Sequence, residues 1–168
     1  MASAQQRGKV FEGELKRSME EAGVLVHRIR DGRVAAGYGQ AMGLKNPCDF
    51  YAWAVSGERL VAVAIEAKAV GVPRLPFENV QPHQVEALAQ FDLLHKDMKA
   101  YIAVNFYDTN SIRKLNRCFM LPIADYEEAL QGDAKSVPLA YFEERAVECP
   151  RMKGQLYDMS GWRDSLWR

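Results

Sequence analysis

Two charged side chains interrupt a stretch that otherwise reads as an apolar strand. In "VAIEAKAVG", residues 63–71, Glu66 and Lys68 stand two positions apart. Successive side chains of a strand point to opposite faces, so these two share one face. Ionised groups in an apolar setting are costly unless they are paired or bind a ligand. The spacing therefore predicts either a simple ion pair or a site for a charged ligand.

Two further acids could join this pair. Asp49 begins the preceding apolar run, and a turn at "SGE" would set the two runs side by side as a hairpin. Glu12 lies at the edge of the apolar stripe of the first predicted helix, so it points toward whatever that helix packs on. Ala62 and Ala64, on the strand face that leads to Glu66, are small enough to let a helix approach. We expect three acids and a lysine to converge there.

Such a group suits phosphodiester hydrolysis. Hard divalent cations prefer carboxylate, carbonyl and water oxygens, and they neutralise charge that develops on phosphoryl oxygens. Asp49, Glu66 and the backbone carbonyl of Ala67 are the predicted ligands, with Glu12 as a further candidate. Lys68, kept cationic by these acids, would orient or help deprotonate the attacking water and stabilise the transition state. The alternative is a solvated ion pair without catalytic function.

Length and composition indicate an ordinary globular protein. The 168 residues favour one domain, spanning 1–168, with a core over about 8–150 and a tail over about 151–168. No apolar run approaches the ~20 residues that span a bilayer, and no signal-peptide pattern opens the chain. We therefore expect no membrane association and a cytoplasmic location.

The cysteines and the charge balance limit which kinds of site the chain can carry. Cys48, Cys118 and Cys149 stand far apart without a CxxC pair, which argues against disulfides and a thiolate zinc site and predicts free thiols. The 22 basic and 22 acidic residues balance, so any nucleic-acid surface must be local.

The order of elements predicts an α/β domain with a central mixed sheet flanked by helices. We expect helices over 8–23, 83–97, 125–132 and 137–146, and strands over 24–30, 48–55, 59–70, 99–108 and 117–124. Gly23 should end the first helix, Asp125 should cap the third and Pro138 should open the fourth. Residues 31–47 read as a loop, and 71–82, with three prolines, as irregular.

In this order the motifs resemble the PD-(D/E)xK nuclease superfamily, and within it the RecU-type Holliday junction resolvases. The matching stretches, which run from about Gly8 to the region of Arg151, are "RGKVFEGEL", "NPCDF", "IEAK", "LPFENVQPHQVEAL" and "AKSVPLAYFEE". The ExK motif alone recurs widely, whereas its combination with the following Pro-Phe-Asn-His-Gln segment is much rarer. The resemblance implies a restriction-endonuclease-like core.

The resemblance also implies residue roles. It places the family's first acid on Glu12, its metal-binding acids on Asp49 and Glu66, and its lysine on Lys68. Gln84 would position a water or a phosphate oxygen near the metal, whereas we expect His83, which precedes it, only to bond locally at the helix start. The implied cofactor is Mg²⁺, with Mn²⁺ able to substitute.

The implied substrate is branched DNA, and the implied assembly is a homodimer, because a four-way junction needs two opposed nicks. The segment between Arg30 and Asp49 is shorter than the stalk of cellular members, which suits a phage-encoded short form acting in a bacterial or phage-infected cell. Pro47 and Cys48 also replace the serine and threonine residues usual before the aspartate. Among the tail aromatics, Tyr157, Trp162 and Trp167 either form the dimer interface or pack on their own domain.

Basic residues concentrate in the first quarter of the chain. The predicted DNA contacts are Arg7, Lys9, Arg17, Arg28, Arg30, Arg33 and Lys45. The alternative is a solvated surface on which acids such as Glu14, Glu20 and Glu21 balance part of this charge.

Three functional hypotheses remain at this point. The first is a metal-dependent resolvase of Holliday junctions. The second is a restriction-like or repair nuclease that acts on duplexes, flaps or ends. The third is a DNA-binding protein of the same fold without turnover, which the presence of all four charged residues of the motif argues against.

Overall fold

A six-stranded mixed sheet forms the centre of the protein. The computed structural model describes residues 3–29, 46–108, 116–154 and 156–168. The helices are α1 Ala4–Glu21, α2 Pro82–Leu94, α3 Ile123–Leu130, α4 Leu139–Arg145 and α5 Ser160–Ser165, with a 3₁₀ turn at Phe77–Asn79. The strands are β1 Leu25–Arg28, β2 Phe50–Ser56, β3 Arg59–Val70, β4 Arg74–Pro76, β5 Met98–Tyr107, β6 Asn116–Pro122, β7 Ser136–Pro138 and β8 Val147–Cys149.

The strand order is β1-β2-β3-β5-β6-β8, and a small second sheet joins β4 to β7. All neighbours in the large sheet run antiparallel except β3 and β5, which are parallel and are connected through α2. Helices cover both faces of this sheet, and a separate cluster of buried apolar residues lies on each face. The predicted α/β architecture with a flanked mixed sheet is confirmed.

The first helix begins and ends as its sequence dictates. Ser3 accepts a hydrogen bond from the backbone of Gln6, and the Gln6 side chain accepts one from the backbone of Ser3, so both ends of a capping box are present. The helix therefore starts four residues before the predicted Gly8. Gly23 follows with a φ of 78°, a left-handed conformation that glycine adopts without strain, and it confirms the predicted stop.

The hairpin of β2 and β3 is also confirmed. Its register runs from Ser56 opposite Arg59 to Phe50 opposite Ile65, and Gly57 turns the chain with a φ of 60°. Because β3 is 12 residues long and β2 only 7, the last part of β3, residues 66–70, continues past the start of β2.

The packing of α1 differs from the sequence expectation. Its apolar stripe lies in one buried cluster with Val61, Val63 and Ile65, whereas Ala64, on the opposite face of β3, packs in the cluster beneath α2. The expectation that α1 approaches over Ala62 and Ala64 is therefore wrong. The branched side chains of β3 offer more apolar area than the alanines, so the longest amphipathic helix covers them.

Two local predictions fail for reasons beyond local pattern. The stretch 71–82, expected to be irregular, contains β4, which pairs with β7 about sixty residues later in the chain. Helix α3 starts at Ile123 after Pro122, so Asp125 lies in its first turn and does not cap it. Pro138 does stand at the cap position before α4.

The C-terminal aromatics pack back on their own chain. Tyr157 and Trp162 are fully buried in the cluster beneath α1, and the Trp162 ring meets the Tyr101 ring edge-on at 5.9 Å between centroids. The dimer-interface alternative is therefore wrong for these two residues, and Trp167 packs partly against the same cluster.

The three cysteines are buried free thiols, as predicted. In the described ranges, none of the helices combines the length and the apolar character that crossing a bilayer requires.

Replacing Trp162 by alanine should lower the free energy of unfolding by about 3–5 kcal/mol, because it empties a large, fully buried site. Urea denaturation measures this loss. Trp167→Ala, at a half-buried site, is the matched control and should cost clearly less. Equal losses for the two variants would contradict the packing described for the tail.

Candidate active site

The candidate site lies where β3 runs past β2. Asp49 directly precedes β2, and its backbone bonds to the neighbouring chain on both sides. Its N–H donates to the Ile65 carbonyl at 3.1 Å, and its carbonyl accepts from the N–H of Ile29 at 2.8 Å. The main chain of Asp49 is therefore fixed between β1 and β3. Its side chain is carried at the point where the β2–β3 ladder stops.

The Asp49 side chain replaces the missing strand partner. Its Oδ2 accepts a hydrogen bond from the backbone N–H of Ala67 at 2.9 Å. The N–H and C=O of one strand residue point to the same side, so the Ala67 carbonyl also faces the side of Asp49. The structure thus groups the carboxylate of Asp49 with the carbonyl that the sequence analysis proposed as a metal ligand.

Glu66 is the most deeply buried acid of the site, with 2% of its surface exposed. Its Oε1 accepts a hydrogen bond from Gln84 Nε2 at 2.7 Å and lies 2.6 Å from Lys68 Nζ. Its Oε2 is buried and has no hydrogen-bond partner among the described residues. One oxygen is therefore satisfied, while the other remains an open acceptor on a buried carboxylate.

Gln84 reaches Glu66 because α2 starts beside β3. Pro82 occupies the first turn of α2, and Gln84 Oε1 accepts from the backbone N–H of Gln81, which caps the helix. The same amide donates through its Nε2 to Glu66. The structure thus brings the predicted Gln84 to the site, and the role proposed for it at a water or a phosphate stays a prediction.

The electrostatic environment of Glu66 disfavours its charge. Burial raises the pKa of Glu66 to about 7, and the nearby charge of Asp49 acts in the same direction. Lys68 and the amide of Gln84 lower the pKa but do not offset the burial. A cation placed between the two carboxylates would offset both the burial of the Glu66 charge and its repulsion by Asp49.

Glu12 has a different environment. Its side chain forms an ion pair with Arg28, which lies on β1. Across the ranges for which the structure gives positions, no three His, Cys, Asp or Glu side chains form a group that could hold a metal ion. Glu12 as a further ligand therefore stays a prediction beside the Asp49–Glu66 pair.

The predicted DNA-contacting residues divide into two groups. Lys9, Arg17 and Arg28 are exposed on α1 and β1, while Arg7 is half-buried. Arg30, Arg33 and Lys45 lie outside the described residues.

The sequence analysis missed a buried ion pair on α1. Glu14, interpreted there as a balancing surface charge, is buried and binds Arg151 through both carboxylate oxygens. Glu14 stands three residues after Phe11 and four before Ser18, both of them buried, and this helical spacing was the signal available in the sequence.

The architecture is a restriction-endonuclease-like α/β fold, with a central mixed sheet flanked by helices. No protein-family model matches the chain, and no curated protein does. A solved structure that the chain resembles is that of Hjc from Archaeoglobus fulgidus, a Holliday junction resolvase of an archaeal hyperthermophile. The TM-score is 0.52 at 22% sequence identity, over 84% of this chain and 95% of that one. At this identity the likeness shows that the two share a fold.

The raised pKa of Glu66 gives a pH dependence of stability in metal-free protein. The folded state holds the Glu66 proton up to about pH 7, whereas the unfolded chain releases it near 4.5. The free energy of unfolding should therefore fall as pH rises through this window. Glu66→Gln should remove this component, on the order of 1–3 kcal/mol.

Urea titrations of wild type and Glu66→Gln from pH 4.5 to 8, in EDTA, measure the effect. Glu58→Gln, in the exposed hairpin turn, is the control and should keep the wild-type profile. Parallel profiles for wild type and Glu66→Gln would contradict the raised pKa.

Proposed function

We propose that the protein is a metal-dependent, structure-selective endonuclease that resolves four-way DNA junctions by paired symmetric nicks. The observation that carries this proposal is the buried Glu66 carboxylate, which lies beside Asp49 and Lys68 with one oxygen open. The shared fold with an archaeal Holliday junction resolvase supports the choice of substrate, and the order of the sequence motifs supports a RecU-type enzyme.

The residues present fit a hard divalent cation, with Mg²⁺ as the proposed ion and Mn²⁺ as a substitute. The donor set of Asp49, Glu66 and the Ala67 carbonyl consists of oxygens, which Mg²⁺ prefers. The open Oε2 of Glu66 and the mutual repulsion of the two acids are both relieved by a cation. When bound, the ion supplies charge neutralisation at the phosphoryl oxygens and lowers the pKa of a bound water.

In this proposal Lys68 is the cationic side chain that contacts the attacking water or the phosphoryl group. Its ammonium is held against Glu66 Oε1 while about a fifth of its side chain stays exposed, so it is both oriented and accessible to a substrate. From there it donates to the attacking water or to a phosphoryl oxygen and stabilises the negative charge of the transition state. Gln84 keeps Glu66 in place and offers a neutral amide next to the reacting groups.

Paired nicks require two sites related by two-fold symmetry, so we propose a homodimer with one site in each subunit. Because Tyr157 and Trp162 are buried within their own chain, the proposed dimer uses other surfaces. The exposed Lys9, Arg17 and Arg28 would contact the DNA backbone without reading the sequence.

Metal binding should be measurable without DNA. Mg²⁺ at about ten times its Kd should raise the free energy of unfolding at pH 8 by about 1.4 kcal/mol, because it binds only the folded state. Asp49→Asn should abolish this stabilisation, and Glu58→Gln should keep it. Denaturation with and without Mg²⁺ tests this, and equal stabilisation of Asp49→Asn would contradict the proposed ligand set.

Cleavage should be confined to branched DNA and should depend on the metal. The assay compares a mobile four-way junction with a linear duplex of equal length, in Mg²⁺ or EDTA. Wild type should give paired symmetric nicks on the junction alone. Asp49→Asn, Glu66→Gln and Lys68→Ala should each lose about 100-fold or more of the rate, since each removes charge at the reacting centre.

The other outcomes assign the other functions. Equal cutting of both substrates would indicate a restriction-like or repair nuclease, which flap and end substrates would then define. Tight junction binding without any metal-dependent product would indicate a DNA-binding protein. Undiminished cleavage by Lys68→Ala would contradict the role proposed for the lysine.

A further inference from the structure

A polar pocket lies on the face of the sheet opposite to Glu66. It has a volume of about 270 Å³, and its polar lining comes from α1, β5, β6 and the segment after β8: Arg7, Glu14, Asn105, Tyr107, Asn116 and Arg151. We call it the Arg7 pocket. In the β3–β5 register Asn105 stands opposite Ala69, one position beyond the pair of Lys68 and Val104. The pocket and the candidate active site therefore occupy the same end of the sheet on its two faces.

One wall of the Arg7 pocket is a closed ion pair. Arg151 donates to both oxygens of Glu14, at 2.7 and 3.2 Å, and its guanidinium lies over the Tyr157 ring at 4.8 Å. The Tyr157 hydroxyl lies 3.4 Å from Glu14 Oε2 and 3.1 Å from Asn116 Oδ1, and its one proton can be donated to either oxygen. Within this wall the charges of Arg151 and Glu14 cancel.

A pair of amides, Asn105 and Asn116, forms another part of the lining. Asn105 Nδ2 donates to Asn116 Oδ1 at 2.8 Å, and the Tyr157 hydroxyl lies 3.1 Å from the same oxygen. Because this oxygen already faces these donors, the Nδ2 group of Asn116 is the part of its amide that is left to bind a ligand, and it is a donor. The amide pair therefore suits an acceptor ligand.

Arg7 supplies the uncompensated charge of the pocket. Its guanidinium lies over the Tyr107 ring at 4.8 Å, and its Nε is buried with no acceptor among the residues that the structure describes. The absence of a side chain at Gly71 makes room for this ring, since a Cβ there would lie 3.2 Å from Tyr107 Cε2. A buried, unpaired donor on a charged group is unfavourable until an acceptor binds it.

We propose that the Arg7 pocket binds one backbone phosphate of the DNA substrate, at a position away from the phosphate that is cut. The net charge of its lining, one positive charge from Arg7, matches the single negative charge of a phosphodiester. Its volume far exceeds the ~30 Å³ of one water molecule. This proposal rests on the proposed function, because it supposes that DNA lies across the end of the sheet that carries Lys68.

The salt dependence of junction binding tests the pocket in the full chain, in EDTA so that nothing is cut. Arg7→Gln should weaken binding about 5–10-fold near 0.1 M salt and reduce the slope of log K against log salt by about 0.9, the value for one phosphate contact. Tyr107→Leu, which removes the surface under Arg7 but no charge, should reduce the slope similarly. Tyr141→Leu removes the ring under Arg145, outside the pocket, and should leave the slope unchanged.

The Nε–H resonance of Arg7, assigned by its loss in Arg7→Lys, gives a direct measurement. It should shift when the wild-type protein is titrated with dimethyl phosphate or with the junction in EDTA, and equal concentrations of chloride should not shift it. An unmoved resonance, or a Tyr107→Leu slope equal to that of wild type, would overturn the proposal.

The two proposals fail in different ways. If the pocket is wrong, metal-dependent cleavage of junctions persists while the Arg7 resonance and the salt slope stay unchanged. If the resolvase function is wrong but the pocket binds DNA, junction cleavage is absent while the Arg7 Nε–H resonance still shifts with a linear duplex. A protein that binds no DNA overturns both.

Discussion

The site depends on a difference in length between two paired strands. Strand β3 continues for residues 66–70 after β2 has begun at Phe50, so its edge lacks a strand partner there. The side chain of Asp49 takes over one backbone hydrogen bond of the missing partner. This substitution places a carboxylate beside Glu66 while the rest of the hairpin keeps its register. With β2 extended by two residues, the Ala67 amide would have a backbone partner and Asp49 would lose this position.

Among the residues that the structure describes, two acids are buried, Glu14 and Glu66, and their surroundings differ. Glu14 is matched by the planar fork of Arg151, and both of its oxygens are occupied, as expected for a structural ion pair. Glu66 is matched by a lysine and an amide at a single oxygen, and its pKa is raised. Leaving a buried carboxylate half-satisfied is unfavourable for stability, and the proposed cation would supply the missing partner.

Much of this could be read from the sequence because its signals are local. The alternation of β3 fixes which side chains share a face, the turn at Gly57 fixes the hairpin, and together they put Asp49 near Glu66. The face on which α1 packs was mispredicted, since it depends on comparing the apolar areas of two strand faces. The pairing of β4 with β7 and the burial of Trp162 involve partners far away in the chain, for which a single sequence carries no local pattern.

Gln84 connects the chemistry of the site to the secondary structure beneath it. One amide caps the first turn of α2 through its oxygen and holds Glu66 through its nitrogen. The start of α2 and the position of the Glu66 carboxylate therefore depend on the same side chain. The residue at position 84 must therefore both cap the helix and donate to Glu66. Glu caps a helix as well as Gln does, but it would place a second negative charge beside Glu66. At this position an interchange that is conservative for the helix is not conservative for the site.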